Sequence, residues 1–87
     1  MLVRYFGAAQ AAAGVAEERL DLAAASLDTV LERITARYPQ PVRAGGPAMP
    51  EVLARSSFLL NEVALRDRGR VLTADDVLDI LPPFAGG

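Results

Sequence analysis

The apolar positions change their spacing several times along the chain, and each change marks an element. Leu2-Val3-Arg4-Tyr5-Phe6 is a run of strand formers and predicts an opening strand. Gly7 to Val15 is rich in small residues and has no stable period. It reads as a loop, whose alanines suit at most a short helical turn. Glu18-Arg19-Leu20-Asp21-Leu22 alternates polar and apolar, as a half-buried strand does. A hairpin is the simplest link between these two strands.

The strongest period follows. Leu27, Val30, Leu31, Ile34 and Tyr38 fall at i, i+3, i+4, i+7 and i+11, one stripe of an amphipathic helix. Ser26 stands where an N-cap hydroxyl would accept a free backbone N–H, and Asp28 suits the positive end of the helix dipole. Arg33 and Arg37 sit toward the negative end, and Pro39 and Pro41 stop the helix. Gln40 to Ala48 is a loop by its Pro and Gly content. Pro50 fits the first turn of a short helix with Met49, Val52 and Leu53 on one side.

Phe58 to Ala64 reads as one strand. Asp67 to Arg70 supplies a turn, with Gly69 available for positive φ. Val71-Leu72 suits a short edge strand, and Thr73 to Asp76 a second turn. Val77-Leu78-Asp79-Ile80-Leu81 is nearly all apolar, as in a strand covered on both faces. Pro82 and Pro83 cannot donate to a ladder and end it. Two strands, a helix, then more strands predict an α+β domain over residues 1–81, one sheet with helices on one face, followed by a tail at 82–87. The uncovered face would carry a protein interface, with Leu59 or Leu60, Val63 and Leu81 as candidates.

Composition narrows the chemistry. The 87 residues suffice for one domain, and they contain no Cys and no His. Disulfides, thiol nucleophiles, Ser-His-Asp triads and HExxH zinc sites are excluded, and no metal site is expected. The nine basic residues are all Arg. No Schiff-base or Walker A lysine exists. A net charge of −2 argues against a nucleic-acid module. No stretch approaches the roughly 18 apolar residues of a membrane span. Tyr5 to Ala16 is too rich in Ala and Gly for a signal peptide, so the cytoplasm is the expected compartment. Asp75-Asp76 and Glu17-Glu18 read as solvated acids, and Gly45-Gly46 lacks phosphate-loop spacing. The chain by itself is expected to be a partner or carrier, not a catalyst.

The ending Pro82-Pro83-Phe84-Ala85-Gly86-Gly87 is the feature left over. A buried-type strand runs into two stiff prolines and then into glycines, which lack Cβ and fit a narrow channel. An α-carboxylate presented this way becomes electrophilic once a partner adenylates it. Leu81 to Gly87, with Leu60-Asn61-Glu62, the turn Thr73-Ala74-Asp75-Asp76-Val77 and Val3 to Gly7, resembles the small ubiquitin-like sulfur carriers (MoaD/ThiS), above all the molybdopterin synthase small subunit type. Thr-Ala before Asp75 replaces a more usual glycine-containing turn, and Lys is missing.

The resemblance implies a β-grasp fold with the first and last strands parallel at its centre. It implies an adenylyltransferase partner similar to ubiquitin-activating enzymes that uses ATP, while the chain binds no cofactor. A sulfur donor would convert the Gly87 adenylate to a thiocarboxylate. A large synthase subunit (MoaE-like) would take the sulfur for molybdopterin. Gly87 would carry sulfur, Gly86 would give access, and Pro82, Pro83, Phe84 and Ala85 would shape the docked tail. Phe84 also suits an aromatic anchor. The alternatives are a carrier for thiazole or cysteine synthesis, a ubiquitin-like modifier, or an interaction module with an inert tail.

Overall fold

The computed structural model describes residues 1–83. In chain order the elements are β1 (Leu2–Tyr5), α1 (Ala8–Ala13), β2 (Glu17–Arg19), β3 (Ala25–Ser26), α2 (Leu27–Arg37), α3 (Met49–Arg55), β4 (Ser57–Leu60), β5 (Val63–Leu65), β6 (Val71–Leu72) and β7 (Val77–Leu81). Five strands form one sheet in the order β2-β1-β7-β4-β5. β1 and β7 run parallel, and the other pairs are antiparallel. The mixed sheet with first and last strands adjacent at its centre is the expected α+β, β-grasp arrangement.

Alternation along the strands sends Val3, Tyr5, Phe58, Leu60, Leu65, Leu78 and Ile80 to one face, where all are buried. The α2 stripe Leu27, Val30, Leu31 and Ile34 joins them in a single core, with Met49, Val52 and Leu53 of α3. Ser26 caps α2, its Oγ accepting the Thr29 N–H at 3.2 Å. Asp28 lies in the first turn and Arg37 in the last. The predicted Pro50 helix is present, with Pro50 in its first turn.

Several expectations are corrected. The segment read as a loop contains α1, whose Ala9, Ala12 and Ala13 are buried. Alanine carries so little apolar area that this stripe is faint in sequence, although it packs well where helices come close. Gly14 closes the helix at φ 78°, its N–H reaching the Gln10 carbonyl at 2.8 Å. β1 and β2 therefore pair through an intervening helix, not a tight hairpin. The second strand is also earlier than expected, at Glu17–Arg19.

The single strand expected over Phe58–Ala64 is a hairpin, β4 and β5, with Asn61 at φ 50° and Glu62 at φ 70° between Leu60 and its partner Val63. A two-residue connection with both residues left-handed matches strand twist. Asn tolerates that region, while Glu gives no turn signal in sequence. β6 does not border the main sheet; it pairs with β3 as a separate ribbon, Ala25 opposite Leu72. The Asp67–Arg70 turn forms without positive φ at Gly69, because Asp67 Oδ1 accepts the Gly69 N–H at 2.9 Å.

One polar cluster closes the helix end of the core. The Tyr5 and Tyr38 rings meet edge to face at 6.2 Å. Both hydroxyls donate to Glu18 Oε2, at 2.6 and 2.5 Å, and Arg37 Nε donates to Oε1 at 2.6 Å. Glu17 is exposed as expected of a solvated acid, whereas Glu18 is not; its strand turns it inward. Burial, with the Glu18 hydrogen bond adding to it, pushes the Tyr5 hydroxyl far above the usual phenol range, and Tyr38 shifts the same way.

A raised phenol pKa means the native state prefers the neutral form. That contribution is intact below the ordinary value of about 10 and is lost as pH rises above it. The chain has two Tyr and no Trp, so phenolate absorbance reports both groups cleanly. We expect Tyr5 to ionise only as the fold opens, so that its share of the absorbance change and the loss of circular dichroism come together in alkali. Tyr5→Phe should cost about 1–3 kcal/mol at neutral pH and weaken the alkaline loss, measured by urea denaturation across pH.

Candidate functional site

β7 is the element that delivers the chain to the predicted site. It pairs on one side with β1, from Leu2 opposite Val77 to Tyr5 opposite Ile80. On the other it pairs with β4, from Leu60 opposite Leu78 to Ser57 opposite Leu81. The Phe6 N–H reaches the Ile80 carbonyl at 3.2 Å, extending the first ladder by one step. The sheet's hold on this strand ends at Leu81.

Pro82 and Pro83 follow without regular structure, the first half-buried and the second exposed. Neither has an N–H, so neither neighbouring strand can capture them, and each fixes φ near −65°. The chain is thus handed to the surface by a strand anchored on both edges. Phe84, Ala85, Gly86 and Gly87, the other predicted site residues, lie outside the described residues. Among the described residues, no group of three or more Asp or Glu could hold a metal ion.

The face opposite the helices is now defined residue by residue. Register places Glu17, Arg4, Asp79, Leu59 and Ala64 in one row across the five strands. Leu2, Val77 and Leu81 lie on the same face by alternation. Leu59 and Leu81 therefore belong to the open face, as two of the predicted interface residues. Leu60 does not; it is buried in the core. Val63, its partner at the hairpin end, is 68% exposed.

The nearly all-apolar pattern of β7 hides Asp79, which is 4% exposed at the strand's centre. Arg4 on β1 grips it with both arms of the guanidinium, Nε to Oδ1 and Nη2 to Oδ2, the latter at 2.9 Å. Such a bidentate pair satisfies a carboxylate that the strand has withdrawn from water. The signal available in sequence was one Asp inside an apolar strand and one Arg inside another.

A second polar link ties the hairpin to the start of β7. Asn61 Nδ2 donates to Asp76 Oδ1 at 2.9 Å, and Asn61 Oδ1 accepts the Val77 N–H at 2.9 Å. Asp76 Oδ2 accepts the Thr73 N–H at 2.7 Å. These hydrogen bonds, Asn61 first, hold the Asp76 carboxyl below the usual carboxylate range. Asn61 and Asp76 are therefore positioning residues of the fold. Asp75 is exposed, as expected of a solvated turn acid.

The profile described as ThiS family matches residues 3–87. No curated protein sequence matches. Among solved structures, the crystal structure of SAMP1 from Haloferax volcanii is similar, with TM-score 0.72 and 25% identity over 100% of this chain and 98% of that one. The solution structure of the Haloferax volcanii HVO 2177 protein is similar in fold, with TM-score 0.70 and 21% identity over 99% of this chain and 84% of that one.

Two outcomes follow from the Arg4–Asp79 pair. Arg4→Ala leaves the Asp79 carboxylate, 4% exposed, without its partner and should lower the urea-denaturation midpoint, less than for a fully buried pair because Arg4 is partly solvated. Adding Asp79→Ala should restore part of that loss, giving a coupling energy in the double-mutant cycle.

Proposed function

The chain belongs to the ThiS family, and from that membership we propose that it is a sulfur carrier working on the C-terminal carboxylate of Gly87. The observation that carries this reading is the central strand β7, anchored on both edges and running into Pro82-Pro83 and then Gly86-Gly87. The chain supplies no His, Cys or Lys for side-chain chemistry. Its reactive group in this reading is on the main chain. Family members work with activating enzymes similar to ubiquitin-activating enzymes.

The steps are ordinary acyl chemistry. The Gly87 carboxylate attacks the α-phosphorus of ATP held by the activating enzyme, and pyrophosphate leaves. A sulfur donor then forms the carbon–sulfur bond, and AMP leaves. Gly86 and Gly87 have no side chains to obstruct entry into a narrow active site. Pro82 and Pro83 limit how far the stem can turn before it gets there, and Phe84 and Ala85 meet the partner's channel.

Molybdopterin is the proposed destination of the sulfur, with a large synthase subunit as acceptor partner. The Pro-Pro stem and the extra helix α3, which lengthens the chain between α2 and β4, favour that type over the minimal thiamin-type carriers.

Intact mass of the whole chain, incubated with Mg-ATP, its activating enzyme and a sulfur donor, tests the reading. We expect an ATP-dependent mass gain equal to oxygen replaced by sulfur. Deleting Gly87 should abolish it while circular dichroism stays native, since the ladder of β7 closes at Leu81. Conjugation to lysines of other proteins without thiocarboxylate would establish a modifier instead. No shift with an active cognate enzyme would sink the carrier reading.

A further inference from the structure

We propose that the chain is an acyl donor that its own copies cannot accept: the folded surface offers no amine or thiol to an activated Gly87 carboxyl. Its biological meaning rests on the carrier reading above, but the chemistry can be tested without it. The starting observation is compositional. Every one of the nine basic side chains is Arg, and there is no Cys and no His. A guanidinium remains protonated near neutral pH and does not attack acyl groups. Ser and Thr hydroxyls are poor nucleophiles without an adjacent base.

Ion pairing accounts for only part of the preference for Arg. Arg4, Arg37 and Arg68 pair with Asp79, Glu18 and Asp28 through Nε, where the planar fork suits a carboxylate. Arg19, Arg33, Arg43, Arg55, Arg66 and Arg70 are exposed, where a Lys would be solvated equally well. What a Lys would add at those six positions is a primary amine that attacks thioesters and acyl-adenylates.

One amine is left, the α-amino group of Met1, and the fold withdraws it. Met1 is 4% exposed. Its ammonium donates to the Leu20 carbonyl at 3.2 Å, and its own carbonyl accepts the Leu20 N–H at 2.9 Å. To attack an acyl carbon this nitrogen would have to lose a proton, break that bond and leave the sheet. An acyl-activated chain at high concentration therefore meets only water or a partner's nucleophile. Aminolysis would form a C–N bond and break the C–S or C–O bond to the leaving group, which departs with the proton the amine gives up. Neighbouring folded copies provide no nitrogen for that step.

The test uses the full chain carrying a Gly87 thioester of mercaptoethanesulfonate, made chemically, at high concentration and mildly alkaline pH. Amide products, dimeric or cyclic, are followed by intact mass. The folded chain should lose its thioester by hydrolysis alone. Folded Arg33→Lys, changed at an exposed position on α2, should form amide product. The original chain in denaturant should do so through the released Met1 amine.

Amide product from the folded original chain at the rate of Arg33→Lys would overturn the proposal. So would an Arg33→Lys chain that only hydrolyses. A denatured chain that forms no amide would overturn the part assigned to Met1. No activating enzyme or sulfur donor takes part, so failure here is distinct from failure of the carrier reading.

Discussion

The parallel pairing of β1 with β7 is the constraint on which the rest of the fold depends. Parallel strands cannot be joined by a tight turn, so the whole intervening chain must cross back over the sheet. Here it returns as three helices, the edge strand β2, a hairpin and a small ribbon. Bringing the two strands together is entropically costly, because residues such as Arg4 and Asp79 are separated by most of the chain. What offsets that cost is burial. Val3, Tyr5, Leu78 and Ile80 enter the core with the stripe of α2. The core is complete only when both end strands are in place. The last strand is consequently a structural centre and also the platform for whatever follows Leu81.

Register within that pairing is specified by polar groups as well as apolar ones. A one-residue slip of β7 would turn Leu78 and Ile80 outward and drive Asp79 into the helix-covered core. The Arg4 guanidinium makes the correct register the one in which the Asp79 carboxylate is satisfied. At the other end of β7, Asn61 binds the Val77 N–H and the Asp76 carboxylate. That link positions the hairpin, whose Glu62 occupies a left-handed conformation unusual for a side chain with Cβ. These contacts sit beside β7, and they act by holding that strand in register.

The division of labour follows from chemistry. A main-chain carboxylate can be activated by a partner without any acid, base or nucleophile on the carrier. Such a carrier needs a firm anchor, a stem that its own sheet cannot recapture, and a surface that does not react with the activated end. In the proposed carrier the β7 ladders would be that anchor and Pro82 and Pro83 that stem. In the same proposal an Arg-only basic set, with the Met1 amine hydrogen-bonded to the Leu20 carbonyl, would be that unreactive surface.

The α2 helix was fully legible in the chain, because its stripe, cap, dipole charges and terminating prolines all agree. So were β1, β7, α3 and the α+β class. Local pattern determined these, since each rests on neighbours within a few residues. What only the tertiary structure decided rests on distant partners. α1 is a helix because close packing rewards alanines whose period is faint. Asn61 and Glu62 form a turn because β4 and β5 both find places in the sheet. Glu18 faces inward because Tyr5, Arg37 and Tyr38 converge on it. The separation of Leu59 and Leu81 from Leu60 onto opposite faces, and the pairing of Asp79 with Arg4, depend on register. Register is set by which strands become neighbours, and no local stretch of sequence carries that information.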